Sequence, residues 1–453
     1  MSLRGSPFLF LHSASRPERN SLIAAFGVRV CAGMDDHLYT MVIPAVSATL
    51  HLSSKNAGLL TSTLLVSMAF GGILFGVLAD RVGRRSALAI CHGYTSLATA
   101  ACALAMTPFA LGTCLALIGL GTGGEWALAT SLVAETWRQE HRKKALGLVQ
   151  SGFSVGYGLA AVVRAAVLPL FGWRGVFASA AIPALFALWI QRNADETPEW
   201  LALRSAKRTQ EISLATHERL HAGREPAEPS EAGAELEGGR GTNFSAAWLI
   251  VITLFMNAGA MFAWWSLFTW LPSYLVLPAA KGGRAMSIGA STYWILLIQI
   301  GMTLGQATFG YFADIFGTKR VYLAYLLIAA LAIHLFVITP TSVALALVAF
   351  FLGFCGQGHF SGFAILTAKL FPIRSRGLAL GVTWNVGRGL SAPAPWVVGA
   401  LSARHGLGAA FWVSSAALVA AALIALACPD TTSGRRIRTT NQNGAFVDNS
   451  RIG

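Results

Sequence analysis

The chain has 453 residues, 55% of them hydrophobic and 12% charged, with a mean hydropathy of +0.58. Soluble domains carry about a quarter charged residues, which excludes that class; the apolar residues come in runs of membrane-spanning length, not in the ten-residue alternating segments of a transmembrane barrel. A net charge of +14 would point to nucleic acid in a soluble chain. Here the basic residues gather in alternate loops, so the reading is an all-α polytopic membrane protein with the lipid bilayer, not nucleic acid, as its surroundings.

In chain order, residues 1–21 hold an apolar run too short for a signal-peptide core and read as a cytoplasmic tail. Six spans follow near 22–47, 57–78, 87–107, 109–135, 145–169 and 174–193, making an N-terminal bundle over 22–193. Residues 194–244 lack apolar periodicity and read as a mobile cytoplasmic linker with one amphipathic helix. A second bundle over 245–428 has spans near 245–276, 288–311, 321–339, 342–369, 377–401 and 407–428, before a polar tail at 429–453. The basic loops are Arg81, Arg84 and Arg85; Arg138, Arg142, Lys143 and Lys144; Lys319 and Arg320; Arg374 and Arg376. They place those loops and both termini in the cytoplasm, in a plasma membrane or the inner membrane of a Gram-negative cell.

Charge inside the spans is costly and therefore informative. "GMDDHLYT" puts Asp35 about 20 Å along the first helix, near the midplane. Adjacent residues point about 100° apart, so Asp35 and Asp36 cannot share one narrow cavity. Asp35 is assigned to the cavity as the proton carrier, with Tyr39 a turn on along its face; Asp36 and His37 reach a neighbouring helix or the cavity edge. An interhelix hydrogen bond is the alternative for either aspartate. Glu125 of span four and His359 of span ten are further titratable groups at mid-membrane. Arg164 sits near the outer boundary, where its side chain snorkels or gathers anions. Trp264, Trp265, Phe268, Trp270, Tyr293 and Trp294 read first as interface anchors. In span eleven, Arg388, with Asn385 at i−3, supplies the bidentate fork that an anion site needs; the alternative is a buried structural pair. The six cysteines show neither disulfide nor metal spacing and read as packing residues.

The halves repeat at an offset of 234. "GVLADRVGRR" from Gly76 matches "GYFADIFGTKR" from Gly310; Arg142 falls on Arg376, Pro44 on Pro278, and "DET" at 195 on "PDT" at 429, and the same offset sets Glu125 opposite His359. Two such six-helix units, related about an axis along the membrane normal, leave a cavity at the midplane between them.

The Gly76–Arg85 stretch, with its echo and the twelve spans, resembles the loop signature of the major facilitator superfamily. The resemblance implies two pseudosymmetric six-helix bundles that alternate access to a central site. It also implies that Gly76, Asp80, Arg81, Gly83, Arg84, Arg85, Glu135, Asp314 and Gly317 form the conformational gate, with Glu135 the partner of Arg81 or Arg85. "GTGGEWALATSLVAETW", "GWRGVF" and "DETPEWL" are similar to the proton symporters of sialate, lactate and related metabolites. "GMDDHLYT" resembles their Asp-Gly-x-Asp pattern, Asp35 matching the second aspartate while Ala32 replaces the first. The implied function is import of a small organic carboxylate with a proton. Arg388, Asn385 and Tyr39 would bind the substrate, and Asp35, Glu125, His359 and Asp36 would carry the coupling. A drug/proton antiporter is an alternative, disfavoured because span five has no Gly-Pro pair; a transport-inactive sensor on the same fold is another. No phosphate loop, metal-ligand spacing or nucleophile arrangement appears, so neither an enzyme nor a cofactor is expected.

Overall fold

The first helix begins where the sequence supplies a cap. In the computed structural model, which describes residues 9–202, 204–206, 209, 246–340, 343–371 and 373–429, α1 (Arg16–Leu50) opens on a capping box. The Ser15 hydroxyl accepts the Glu18 N–H, and the Glu18 carboxylate accepts the Ser15 N–H at 2.8 Å, so two orphan donors are satisfied together. Residues 16–21, assigned above to the tail, are thus helical.

The remaining helices are α2 (Ser54–Val82), α3 (Arg84–Ala101) and α4 (Pro108–Thr136). The helical stretch Gln139–Ala178 breaks at Gly172, whose φ is +63°; we call residues 139–171 α5 and residues 173–193 α6. The second half has α7 (Ala246–Val276), α8 (Ile288–Phe316), α9 (Thr318–Ile338) and α10 (Val343–Leu370). Helix α11 (Ile373–Ser391) continues past a short turn as a second limb, Ala394–His405, and α12 is Trp412–Leu426. Among the described residues, nine helical stretches are long and apolar enough to span a bilayer, one of them holding both α5 and α6. Only α1 and α11 miss that measure, the helices that carry Asp35, Asp36 and Arg388. Most of the expected linker and C-terminal tail, with the side chains of Lys143, Arg374 and Arg376, lies outside the described residues.

The repeat is visible in the backbone. Helices α2 and α8 begin at 54 and 288 and end at 82 and 316. Gly83 and Gly317 follow them with φ of +96° and +90°, each donating its N–H to an alanine carbonyl at 3.0 Å. A side chain would strain both turns. Helix α2 packs on α4, α1 on α5, α8 on α10, and α7 on α12. The crossings are close at matched small residues: a Cβ on Gly71 would strike the Leu120 carbonyl, and one on Gly305 the Phe354 carbonyl. Such contacts replace the hydrophobic drive that lipid does not provide.

The halves meet through α1 with α7, α2 with α11, and α5 with α8. At one end these pairs are tight. Gly58 lies against the Pro395 backbone and Gly399 against Ser54, while Thr292 donates to the Ala161 carbonyl at 3.4 Å. Arg164 is part of this seam. It is buried and donates to Ile288 O at 3.3 Å and to the Ser291 hydroxyl, so it clamps α5 to α8 and does not snorkel. At the opposite end, which bears the basic loops, Gly76, Gly147, Gly310 and Gly381 have nothing among the described residues within 4 Å of where a Cβ would stand.

Candidate functional site

Between the halves lies a small cavity with about 50 Å³ of space for water, lined from both bundles. Helix α1 contributes Arg29 and Asp36, α4 Thr122 and Trp126, α5 Gln150 and Phe153. Helix α7 adds Trp264 and Trp265, α10 Gln357 and Phe360, and α11 Trp384 and Arg388. The walls are aromatic slabs: Trp126 and Trp384 stack across the halves at 5.3 Å and 10°, and Trp126 Nε1 is held by Gln150 Oε1 at 3.1 Å. Trp264 and Trp265 are therefore cavity walls. Of the group read above as interface anchors, Phe268 and Trp294 are buried as well, Trp270 donates to Pro395 O at 2.9 Å, and only Tyr293 is exposed.

Arg29 and Arg388 are both buried, and among the described residues neither has a carboxylate within 4 Å. Both lie in electrostatic range of Asp36, and Arg29 stands over the Phe153 ring at 4.8 Å. Two guanidinium groups against one carboxylate leave the cavity with an excess positive charge, in a setting where charge is poorly screened. Sequence reasoning missed Arg29. The available signal was a lone arginine in "AAFGVRVCAG", six residues before Asp35.

The two aspartates exchange the places expected of them. Asp36 lines the cavity, whereas Asp35 faces α3, accepting from the Ser96 hydroxyl at 3.4 Å. The 100° separation of neighbouring residues was right, but the helix is rotated so that the second aspartate looks inward. Tyr39 is likewise turned away and donates to the Ala57 carbonyl at 3.0 Å. His37 stacks on Tyr157 at 4.0 Å. Asn385 does not line the cavity; its amide donates to Gly381 O at 3.0 Å and its carbonyl faces Gly72 of α2. Glu125 and His359 are buried behind the wall. Glu125 pairs with His92 at 3.0 Å, a residue the sequence reading passed over, while His359 donates only to Cys355 O at 3.1 Å and packs on Phe360.

Of the residues expected to form a gate, Asp80, Arg84, Arg85 and Glu135 come together around the Gly83 turn, with one change of partner. Glu135 is bound by Arg84, at 3.1 Å, and the same guanidinium takes Asp80 at 2.8 Å. Arg81 is exposed, and Arg85 donates its backbone N–H to Glu196 at 3.1 Å. Glu196 and Trp200 of "DETPEWL" close over this loop, Trp200 donating to Asp80 O at 3.2 Å. The second half reproduces the arrangement with other chemistry. Thr318 and Lys369, which fall 234 residues after Arg84 and Glu135, bond at 2.7 Å. Asp314 stays exposed.

Residues 25–297 and 276–448 match the Major Facilitator Superfamily. The chain belongs to that superfamily. The fold agrees: the inward-open xylose transporter XylE of Escherichia coli superposes with a TM-score of 0.70 over 91% of this chain and 96% of its own, at 18% identity. Two relatives are nearer in sequence. The cis,cis-muconate transport protein of Acinetobacter baylyi is 27% identical over 88% of this chain and 91% of that protein. The sialic acid transporter NanX of E. coli is 25% identical over 89% and 92%. This superfamily member is thus a multi-pass membrane transporter by family and fold, and its relatives include carriers of organic acids.

Proposed function

We propose that the protein imports a small, planar organic monocarboxylate together with a proton, moving it across the membrane without converting it. Alternating access would come from rocking of the units 22–193 and 245–428 about the central cavity, in a plasma membrane with the basic loops and both termini inside. The observation that carries the reading is Arg29 and Arg388, buried, with no protein carboxylate within 4 Å among the described residues, facing one cavity with Asp36. One carboxylate of substrate balances the excess charge, and a guanidinium grips it in two parallel hydrogen bonds. Trp126, Trp264, Trp265, Trp384, Phe153 and Phe360 then sandwich a flat body, which favours an aromatic or conjugated acid over a sugar acid. Relatives named for muconate and sialic acid support carboxylate cargo. The Arg84–Glu135–Asp80 cluster is assigned to latching the basic-loop end when it closes.

Uptake into proteoliposomes of labelled benzoate, cis,cis-muconate, lactate and sialate, with and without an imposed pH gradient, tests this. The expected result is accumulation of benzoate above the others, only when the outside is acidic. Accumulation driven by the opposite gradient makes the protein an antiporter. Failure of all four acids to move or compete removes the carboxylate assignment.

A further inference from the structure

Asp36 and Trp126 face the cavity, while their chain neighbours Asp35 and Glu125 face the other way, toward α3. Directly behind the wall stands His92, fully buried, with Nδ1 at 3.0 Å from Glu125 Oε1 and Nε2 at 3.1 Å from the Pro183 carbonyl. A carbonyl can only accept, so Nε2 carries a hydrogen. That leaves one proton to bridge Nδ1 and Oε1, either on the ring or on the carboxyl; without it two lone pairs would face each other. The pair therefore holds a single exchangeable proton. Asp35 lies in electrostatic range of both partners and takes the Ser96 hydroxyl, one turn along α3 from His92. The other charged groups that reach this cluster are Arg29 and Asp36 of α1, with Arg388 beyond them in the cavity.

We infer that the coupling proton is held by the His92–Glu125 pair, flanked by Asp35, in a compartment behind the substrate cavity and not in it. The inference deepens the symport reading and rests on it for the transport cycle. Coupling follows from charge. Arg29 lies in electrostatic range of Glu125; a bound substrate carboxylate offsets that positive charge, so the anion and the proton bind more readily together than apart. By linkage the proton favours substrate to the same degree. Proton and anion therefore load together and, once the proton leaves to the less acidic side, are released together.

The first test needs no substrate. The full-length protein is titrated by pH-difference infrared spectroscopy, alongside Glu125→Gln, His92→Gln and the double variant. One protonation step should vanish in each single variant, and the double variant should lose that same step and no second one. Independent losses, or an unchanged spectrum, overturn the shared-proton site. The second test uses the acid best transported in the four-acid panel. Glu125→Gln should reduce gradient-driven accumulation to the equilibrium ratio while acid–acid exchange stays within about threefold of wild type, which also shows that the variant folds. Accumulation surviving in both single variants overturns the site. Should wild type accumulate no acid under any gradient, the symport reading falls and the spectroscopic result alone decides the site.

Discussion

Arg388 and Arg29 share one aromatic-walled cavity with Asp36. Lysine is a point charge and cannot make the two-pronged contact, so Arg388→Lys should raise the apparent KM for the transported acid at least tenfold with a smaller change in maximal rate; unchanged uptake kinetics would remove Arg388 from the site. The two aspartates should separate cleanly. Asp36→Asn takes away the carboxylate that offsets the arginines, so it should shift preference toward acids carrying two carboxylates, measured by competition between benzoate and cis,cis-muconate. Asp35→Asn should leave that preference alone and weaken coupling. At this scale the sequence was half legible. A charge in a greasy span announces itself, which is how Asp35, Asp36, Glu125 and Arg388 were found. Which way each points depends on helix rotation, and that is set by partners such as Gly33, packed on the Phe153 backbone, which no single-sequence pattern reveals.

At the scale of helices, the spans were readable, while the start of the first helix and the pairings between helices were not. The Ser15–Glu18 cap falls in residues read from the sequence as tail, and the ion pair that anchors it comes from the far end of another helix: Arg138, after α4, donates to Glu18 at 2.9 Å. Glu18 lies ahead of the span that begins near 22. Burial would push its carboxyl up, but the Arg138 guanidinium and the N–H groups of Ser15 and Arg138 outweigh this and hold it near 2, below its ordinary 4.5. A carboxylate depressed in the fold adds stability above pH 4.5 and loses it as the pH falls toward 2. The melting temperature of Glu18→Gln should therefore sit below wild type by a constant amount above pH 4.5, and the gap should close under acid. The crossings are less forgiving. Gly71→Leu would force α2 away from the Leu120 carbonyl, and overpacking of this kind costs roughly 1–3 kcal/mol; the variant should melt earlier, while Gly310→Leu, with open space around it, should not. The 234-residue offset, legible from four short matches, did not itself locate the crossings, but the structure sets Gly71 and Gly305 at that spacing, because a repeated backbone repeats its close contacts.

Across the whole molecule, the two ends of the seam between halves are unlike. One has close crossings at Gly58, Gly399 and the Arg164 clamp beside a cavity of about 580 Å³ lined by Ile43, Ser54, Trp270 and Arg404; at the other, Gly76, Gly147, Gly310 and Gly381 are uncovered among the described residues. Gly76 and Gly381 stand on helices that already touch, α2 and α11, and Gly147 and Gly310 on α5 and α8. A chain that needed these positions bare in this one shape alone would gain nothing from them, since alanine would extend each helix better. On the alternating-access cycle proposed above, their smallness serves the companion shape, in which these helices come together flank to flank. A tryptophan at Gly76 or Gly381 should act as a doorstop: heat tolerance and acid binding unaltered, turnover arrested with the entrance propped on one side of the membrane.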